Sequence, residues 1–368
     1  FDELERDFPD AERVNCEGRI VTPGLVDSHT HAVFGRPRYD EQELRAAGAG
    51  YMEIAEKGGG IHSSVRDLRA RSEEDLLQLS RARLARIARY GVTTVEIKSG
   101  YGLSLEDELK TLRVIARLRE VCNLRIISTW LGGHEIPREY RERTADRREY
   151  IDQLTGVQLP AVIAGRLATF ADVFCEPGVF TVDETRMILE AARARGLKLK
   201  LHADELEPSG GAELAAQLGA VSADHLAAIS PSGIEALAAS DTVATLLPGT
   251  MFFLGRTRQA PARGLIAAGA AVALATDFNP GTSPTPNLPL IMTIGVSQLH
   301  MSVAESLIAT TVNGAAALGL ADRTGQIAPG FSADITLWDC EDVREIPYWY
   351  GDVRCASSWC RGEPAIVS

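Results

Sequence analysis

The sequence predicts a (β/α)8 barrel, α/β in class, with a small β domain built from the two chain ends. Three observations point there. Residues 23–324 alternate short apolar, β-branched runs with helical stretches, the rhythm of βαβ units around a parallel sheet. Eight such repeats can be counted, which suits a closed barrel rather than an open doubly wound sheet. The histidines gather at the ends of the strand runs, where a barrel assembles its site. At 368 residues the chain is long enough for one barrel with an appendage.

Taken in order, the strand candidates are 24–27, 92–97, 125–130, 172–175, 198–201, 222–225, 243–247 and 271–275. Helices fit between them. Residues 73–90 are long and amphipathic behind a Ser72/Asp75 start signal, and Thr181 with Glu184 forms a capping box for a helix running to residue 195. The ends differ in character. Residues 14–21 read as a strand, and the turn-rich run 325–334 leads into another at 335–338. The two are expected to pair outside the barrel, so that 1–22 and 325–368 form the small β domain. The chain opens on Phe1 with no methionine and no signal peptide, and this domain is expected to be N-terminally incomplete.

Apolar residues make up 45% and charged residues 24%, ordinary for a soluble globular enzyme. The net charge of -12 disfavours nucleic acid, whose phosphates attract basic surfaces. It still allows an anionic small-molecule substrate, because one local arginine can outweigh a distant field. No apolar run approaches membrane-spanning length. The cysteines Cys16, Cys122, Cys175, Cys340, Cys355 and Cys360 are scattered without C-x2-C pairing and read as free thiols in a reducing cytoplasm. A homodimer is the one assembly considered.

The chain has seven histidines. His29 and His31 follow the first strand candidate, His134 lies just past the third, His202 follows the fifth and His225 closes the sixth. His29-Thr30-His31 is an H-x-H pair, and alternate side chains on an extended segment point the same way, so both imidazoles can reach one metal. Asp277 follows the eighth strand. Three imidazoles and a carboxylate from separate strands make a borderline-soft site for one zinc or iron ion per chain. Glu205 and His225 are not needed as ligands. They are read as proton carriers, the alternative being that they orient the ligands by hydrogen bonding.

The order of H-x-H on strand one, His on strands five and six and Asp on strand eight resembles the amidohydrolase superfamily. Within it, the runs HTHAVFGR (29–36), EIKSGYG (96–102), LGGHEIP (131–137), LHADE (201–205) and TDFNPGT (276–282) are similar to the imidazolonepropionase family over nearly the whole chain. The resemblance implies hydrolysis of the cyclic amide of 4-imidazolone-5-propanoate to N-formimidoyl-L-glutamate, in histidine degradation in the cytoplasm. It implies metal ligands His29, His31, His202 and Asp277, and substrate contacts from Arg38, Tyr101, His134, Asn279, Gly281 and Thr282. It implies catalytic roles for Glu205, His225 and Asp277.

The residue types agree with this. A propanoate tail needs a cation, and Arg38 offers a bidentate fork. Tyr101 sits in a glycine-rich turn just past strand two, and 279–282 is a turn whose backbone groups could grip a carboxylate. Lys98 invites comparison with the bridging carboxylated lysine of binuclear relatives. In those the lysine ends strand four, where this chain has Cys175-Glu176-Pro177, so one metal is expected and Lys98 is left out of the site. Residues 58–61 are read as a loop covering the site, and His62 and His300 as lying outside it. Two rivals remain open at this stage. A metal-dependent aminohydrolase of a nucleobase-like ring would use the same metal set without a carboxylate clamp. A non-catalytic protein with structural zinc would favour a closed, cysteine-rich site.

Overall fold

The computed structural model describes residues 2–48, 59–141 and 144–365. Among the described residues the strands are β1 (Val21–Pro23), β2 (Leu25–Asp27), β3 (Val92–Lys98), β4 (Arg125–Gly133), β5 (Phe170–Cys175), β6 (Lys198–Ala203), β7 (Ser222–His225), β8 (Val243–Leu246), β9 (Val272–Leu274), β10 (Ile335–Trp338), β11 (Cys355–Cys360) and β12 (Glu363–Pro364). Strands β2 to β9 form one sheet in sequence order, each parallel to the next. The sheet curls until its edges meet. Thr30 bridges Phe278 in parallel, His31 N donates to Phe278 O at 2.9 Å and Asp277 N donates to His29 O at 3.0 Å. The expected barrel is therefore present, and the eight strand candidates each fall on one of its staves.

The helices confirm the start signals. Ser72 caps the helix Glu73–Ala88 by accepting from Asp75 N, and Thr181 and Glu184 form the capping box of the helix Val182–Arg193. Side chains alternate along the staves. On β3, Val95 and Ile97 belong to the apolar layer shared with the helices, while Glu96 and Lys98 meet polar groups of other strands inside the barrel. On β6, Leu199 and Leu201 lie in the apolar layer and Lys200 and His202 inside. Each large apolar side chain in that layer contributes roughly 1.5–3 kcal/mol of burial. The polar interior contributes position instead.

The chain ends make a second sheet, antiparallel, in the order β1-β10-β11-β12. Val21 stands opposite Leu337 and Pro23 opposite Ile335. Trp338 is fully buried there and its indole N–H donates to Thr22 Oγ1 at 2.8 Å. The strand expected at 14–21 is corrected: it starts only at Val21. Glu17 and Gly18 take φ of 51° and 80°, so the chain turns where extended structure was expected, and Val14 is half-exposed with no sheet to cover. The expected cover loop is also changed. Gly58 lies outside the described residues, Ile61 opens the helix Ile61–Ala70, and Gly60 N donates to Glu41 Oε1 at 2.7 Å.

Candidate metal centre and substrate rim

Every residue singled out for chemistry lies at the C-terminal ends of the staves or in the loops directly after them. His29 and His31 follow β2, Lys98 ends β3, His134 follows β4, His202 lies near the end of β6, His225 ends β7 and Asp277 follows β9. Their rings form one cluster. Centroids are 5.3 Å apart for His29 and His31, 4.6 Å for His29 and His202, and 5.5 Å for His31 and His202. Asp277 Oδ1 stands 3.5 Å from His29 Nε2 and 3.5 Å from His31 Nε2, and His31 Nε2 faces His202 Nε2 at 3.4 Å.

These atoms fit a metal ion. His29 donates its Nδ1–H to Asp224 Oδ2 at 2.6 Å, which leaves the Nε2 lone pair aimed at the cluster, buried and without a hydrogen-bond partner. His202 Nδ1 lies 3.0 Å from Asp172 Oδ2. Burial, with repulsion from Lys98 and His202, holds His29 well below the ordinary histidine range, and burial with His134 and His202 does the same for His31. Neutral imidazoles are what a cation needs. Asp277 Oδ2 accepts from Thr250 Oγ1 at 2.6 Å, fixing the other oxygen toward the rings, and burial pushes its carboxyl up to about 6. Among the described residues, potential ligand atoms converge in three overlapping groups, His29/His31/Asp277, His29/His202/His225 and His31/His134/His202. No cysteine belongs to any of them.

His225 and Glu205 stand beside this cluster. The His225 ring is 5.5 Å from that of His29 and 5.2 Å from that of His202. Alternation along β7 would send His225 the same way as the helix-facing Ala223. Instead the chain leaves the extended conformation at His225, with φ of 81°, and the ring joins the cluster. Asp277 also has positive φ, 50°. Such conformations cost roughly 1–3 kcal/mol each and gather at functional sites. Glu205 Oε2 is 3.6 Å from His225 Nδ1, too long for a hydrogen bond. Burial, together with the Asp277 and Glu176 carboxylates, pushes Glu205 up to about 8. Burial and repulsion from His202 hold His225 well below its usual value.

The rim is built by loops. His134 stacks on His31 at 5.0 Å and donates Nδ1–H to Gly100 O at 2.9 Å, so its Nε2 is an acceptor. Burial and His202 bring it down to about 3. Tyr101 is buried 5.7 Å from the His31 ring. Arg38, whose side chain is 9% exposed, donates to Ser64 Oγ at 2.9 Å and pairs with Glu41 at 3.2 Å. Its guanidinium packs against Gly281, where a β-carbon would fall 1.7 Å from Nη2, so any larger residue there would displace the Arg38 fork. The amides of Gly281 and Thr282, read from sequence as a grip for a carboxylate, instead donate to Asn279 Oδ1 at 2.9 and 2.7 Å. The Asn279 amide in turn donates to Asp277 O and Thr282 Oγ1. That loop serves as a seat for Arg38. A cavity of about 430 Å³ opens beside Arg38, lined also by Arg36, Glu41 and Ser63, and does not reach the imidazoles.

Sequence reasoning missed several supporting groups. Glu108 Oε1 accepts from Gly102 N at 2.8 Å, Leu103 N at 2.9 Å and Gly100 N at 3.1 Å, and so ties down the turn that carries Tyr101 and receives His134. Glu176 accepts from the amides of Glu205 and Glu207. Asp204 accepts from Ser209, Gly210 and Ala212 amides. Glu176 and Asp204 are carboxylates directly after strands and Glu108 lies in the first turn of the helix Leu105–Val121, and in sequence each is indistinguishable from a solvated carboxylate. His62 is partly buried on its helix and His300 is exposed, both away from the cluster.

The amidohydrolase family model matches residues 41–365. The imidazolonepropionase of Geobacillus kaustophilus is 47% identical over 371 residues, covering 100% of this chain and 86% of that protein. That of Bacillus velezensis is 48% identical, covering 94% and 82%. The chain belongs to the imidazolonepropionase family of amidohydrolases. Family members at this identity share the barrel and its hydrolytic chemistry. Among solved structures, a 5-methylcytosine deaminase from Klebsiella pneumoniae liganded with phosphonocytosine superposes with a TM-score of 0.71 at 19% identity, covering 96% of this chain and 88% of that one. An adenosine deaminase from Xanthomonas campestris with bound zinc gives 0.69 at 18%, covering 95% and 81%. At such identity these share the fold alone, and the aminohydrolase rival gains nothing from them. Among the described residues no helix is long and apolar enough to cross a membrane.

Proposed function

We propose that the chain hydrolyses the cyclic amide of 4-imidazolone-5-propanoate, giving N-formimidoyl-L-glutamate in the histidine-degrading metabolism of the cytoplasm. The observation that carries this reading is a hydrolytic cluster faced by one buried arginine fork, in a chain 47% identical to imidazolonepropionases over its full length. A carboxylate-bearing ring calls for that fork, and a neutral nucleobase does not.

His29, His31, His202 and Asp277 would hold one zinc or iron ion per chain. Such an ion supplies Lewis acidity to a carbonyl and makes a water acidic enough to attack near neutrality. The chain's own groups do the rest. Arg38 holds the propanoate, with Tyr101 closing the same pocket. His134, whose Nδ1–H is committed to Gly100 O, accepts a ring N–H at Nε2. The Asn279–Thr282 loop keeps Arg38 in place. Asp277 and His225 flank the attacking water, orient it and receive its proton as the new C–O bond forms. His225 then stands where a donor can stabilise the oxyanion. Glu205 delivers a proton to the ring nitrogen as the C–N bond breaks, leaving a carboxylate and a neutral formimidoyl nitrogen. A homodimer is the assembly we favour.

The test is turnover of freshly made imidazolone propanoate, followed by loss of ring absorbance and by formation of N-formimidoyl-L-glutamate. Turnover of cytosine or guanine in preference to it would refute the reading.

A further inference from the structure

Lys98, the last residue of β3, is fully buried inside the barrel. Its Nζ donates to Glu96 Oε1 at 2.7 Å and to Asp172 Oδ2 at 2.8 Å, and lies 3.6 Å from Asp224 Oδ2. Two of these oxygens are the ones that touch metal-facing imidazoles. Asp172 Oδ2 is 3.0 Å from His202 Nδ1, and Asp224 Oδ2 accepts from His29 Nδ1 at 2.6 Å. Asp172 Oδ1 is tied as well, accepting from the His202 amide at 3.1 Å. Lys200, also buried, donates to Ser222 Oγ at 2.6 Å and to the carbonyls of Ala317 and Ser28, and stands 3.6 Å from Asp224. Ser222 passes this on to Asp224 Oδ1 at 2.6 Å.

An ammonium buried without anions would shed its proton, and three buried carboxylates without a cation would repel one another. The arrangement is therefore stable only as a unit. It joins β3, β5, β6 and β7, of which β6 carries His202, and it reaches His29, which follows β2, through Asp224. We propose that Lys98 is a positioning residue for the metal centre, a fixed cation that aims Asp172 at His202 and Asp224 at His29. It rests on the reading of His29 and His202 as metal ligands. It does not depend on which substrate is hydrolysed.

The experiment is zinc affinity, measured on the full chain by competition with a chromophoric chelator, for Lys98→Met and for the charge-balanced pair Glu96→Gln with Lys98→Met. Groups that orient metal histidines typically change affinity by roughly 10- to 100-fold. Lys98→Met is expected to bind zinc that much more weakly, and so is the balanced pair, because Asp172 and Asp224 lose their shared anchor in both. Should Lys98→Met fail to fold, the balanced pair, which buries no surplus charge, carries the test alone. Parent-like zinc affinity in the balanced pair overturns the proposal, even if its thermal stability falls, because Lys98 would then serve the fold and not the centre. His202→Ala serves as the separate control on the ligand reading. If it binds zinc like the parent, the ligand reading itself fails and Lys98 has nothing to position.

Discussion

The metal centre and the substrate rim stand side by side yet are held in different ways. The imidazoles of His29 and His202, the proposed ligands, meet carboxylates carried by other staves, Asp224 on β7 and Asp172 on β5, so their positions are set by the sheet itself. The rim groups are braced by loop backbone: Tyr101 through the turn that Glu108 ties down, Arg38 through Glu41 and its seat on Gly281. The difference separates two tasks. Stave-to-stave bracing gives a rigid centre. Loop bracing can change with the substrate without disturbing the metal. Changes in the centre should therefore strike metal content or kcat, and changes in the rim should strike KM.

The largest effect is expected in the centre. His202→Ala or chelation should abolish turnover while circular dichroism still reports a folded barrel. A metal ion supplies several kcal/mol of transition-state stabilisation, so about 10³-fold or more should be lost. A chelated protein that kept its activity would remove the metal from the reaction. Next come the groups beside the metal. His225→Asn and Glu205→Gln should keep their metal by elemental analysis yet lose about 10²- to 10⁴-fold in kcat. Near-normal kcat in either variant would show that it does not move a proton.

On the rim the effects should be smaller and appear in substrate affinity. Arg38→Met keeps much of the bulk and removes the fork. A charge-assisted hydrogen bond is worth about 1.5–3 kcal/mol, so kcat/KM for imidazolone propanoate should fall about 10- to 150-fold with metal content unchanged. If the variant matches the parent, the carboxylate is held elsewhere, with Asn279 and Thr282 the next candidates. The smallest effect is expected from Glu108→Gln, which loosens the turn carrying Tyr101 without touching substrate. A rise in KM of roughly 5-fold, about 1 kcal/mol, is expected with kcat preserved. A loss of kcat or of metal instead would dissolve the division between centre and rim.

The barrel was legible because apolar runs recur eight times with helical stretches between them, two of which carry a clear start signal, at Ser72 and Thr181. The cluster was legible because imidazoles are rare and stood at strand ends. Three things were hidden. The turn at Glu17 and Gly18 shortened a strand that composition alone allowed. Lys98 was set aside because the comparison with bridging lysines concerned strand four, while its actual partners, Glu96 and Asp172, come from its own strand and from one 74 residues further on. Asn279 looked like a ligand-facing amide, but its oxygen is spent on the turn it belongs to. Pairings between distant charges and choices between local and outward hydrogen bonds are settled only by the folded geometry.

The seam between β2 and β9 carries a consequence for assembly. Asp27 accepts from the hydroxyl and amide of Thr276, 249 residues away in the chain, and just above this His29 meets Asp277. The proposed ligand set is thus split between the first stave of the barrel and the last. Contacts of such separation form late, after the intervening loop entropy has been overcome. A nascent chain emerging from the ribosome holds His29, His31 and His202 long before Asp277 is synthesised, so the proposed ligand set cannot be complete until the last stave docks. Metal uptake with full affinity then becomes a report that the ring has shut. A chain stalled or cut before residue 277 should bind its ion weakly and release it to any competing chelator.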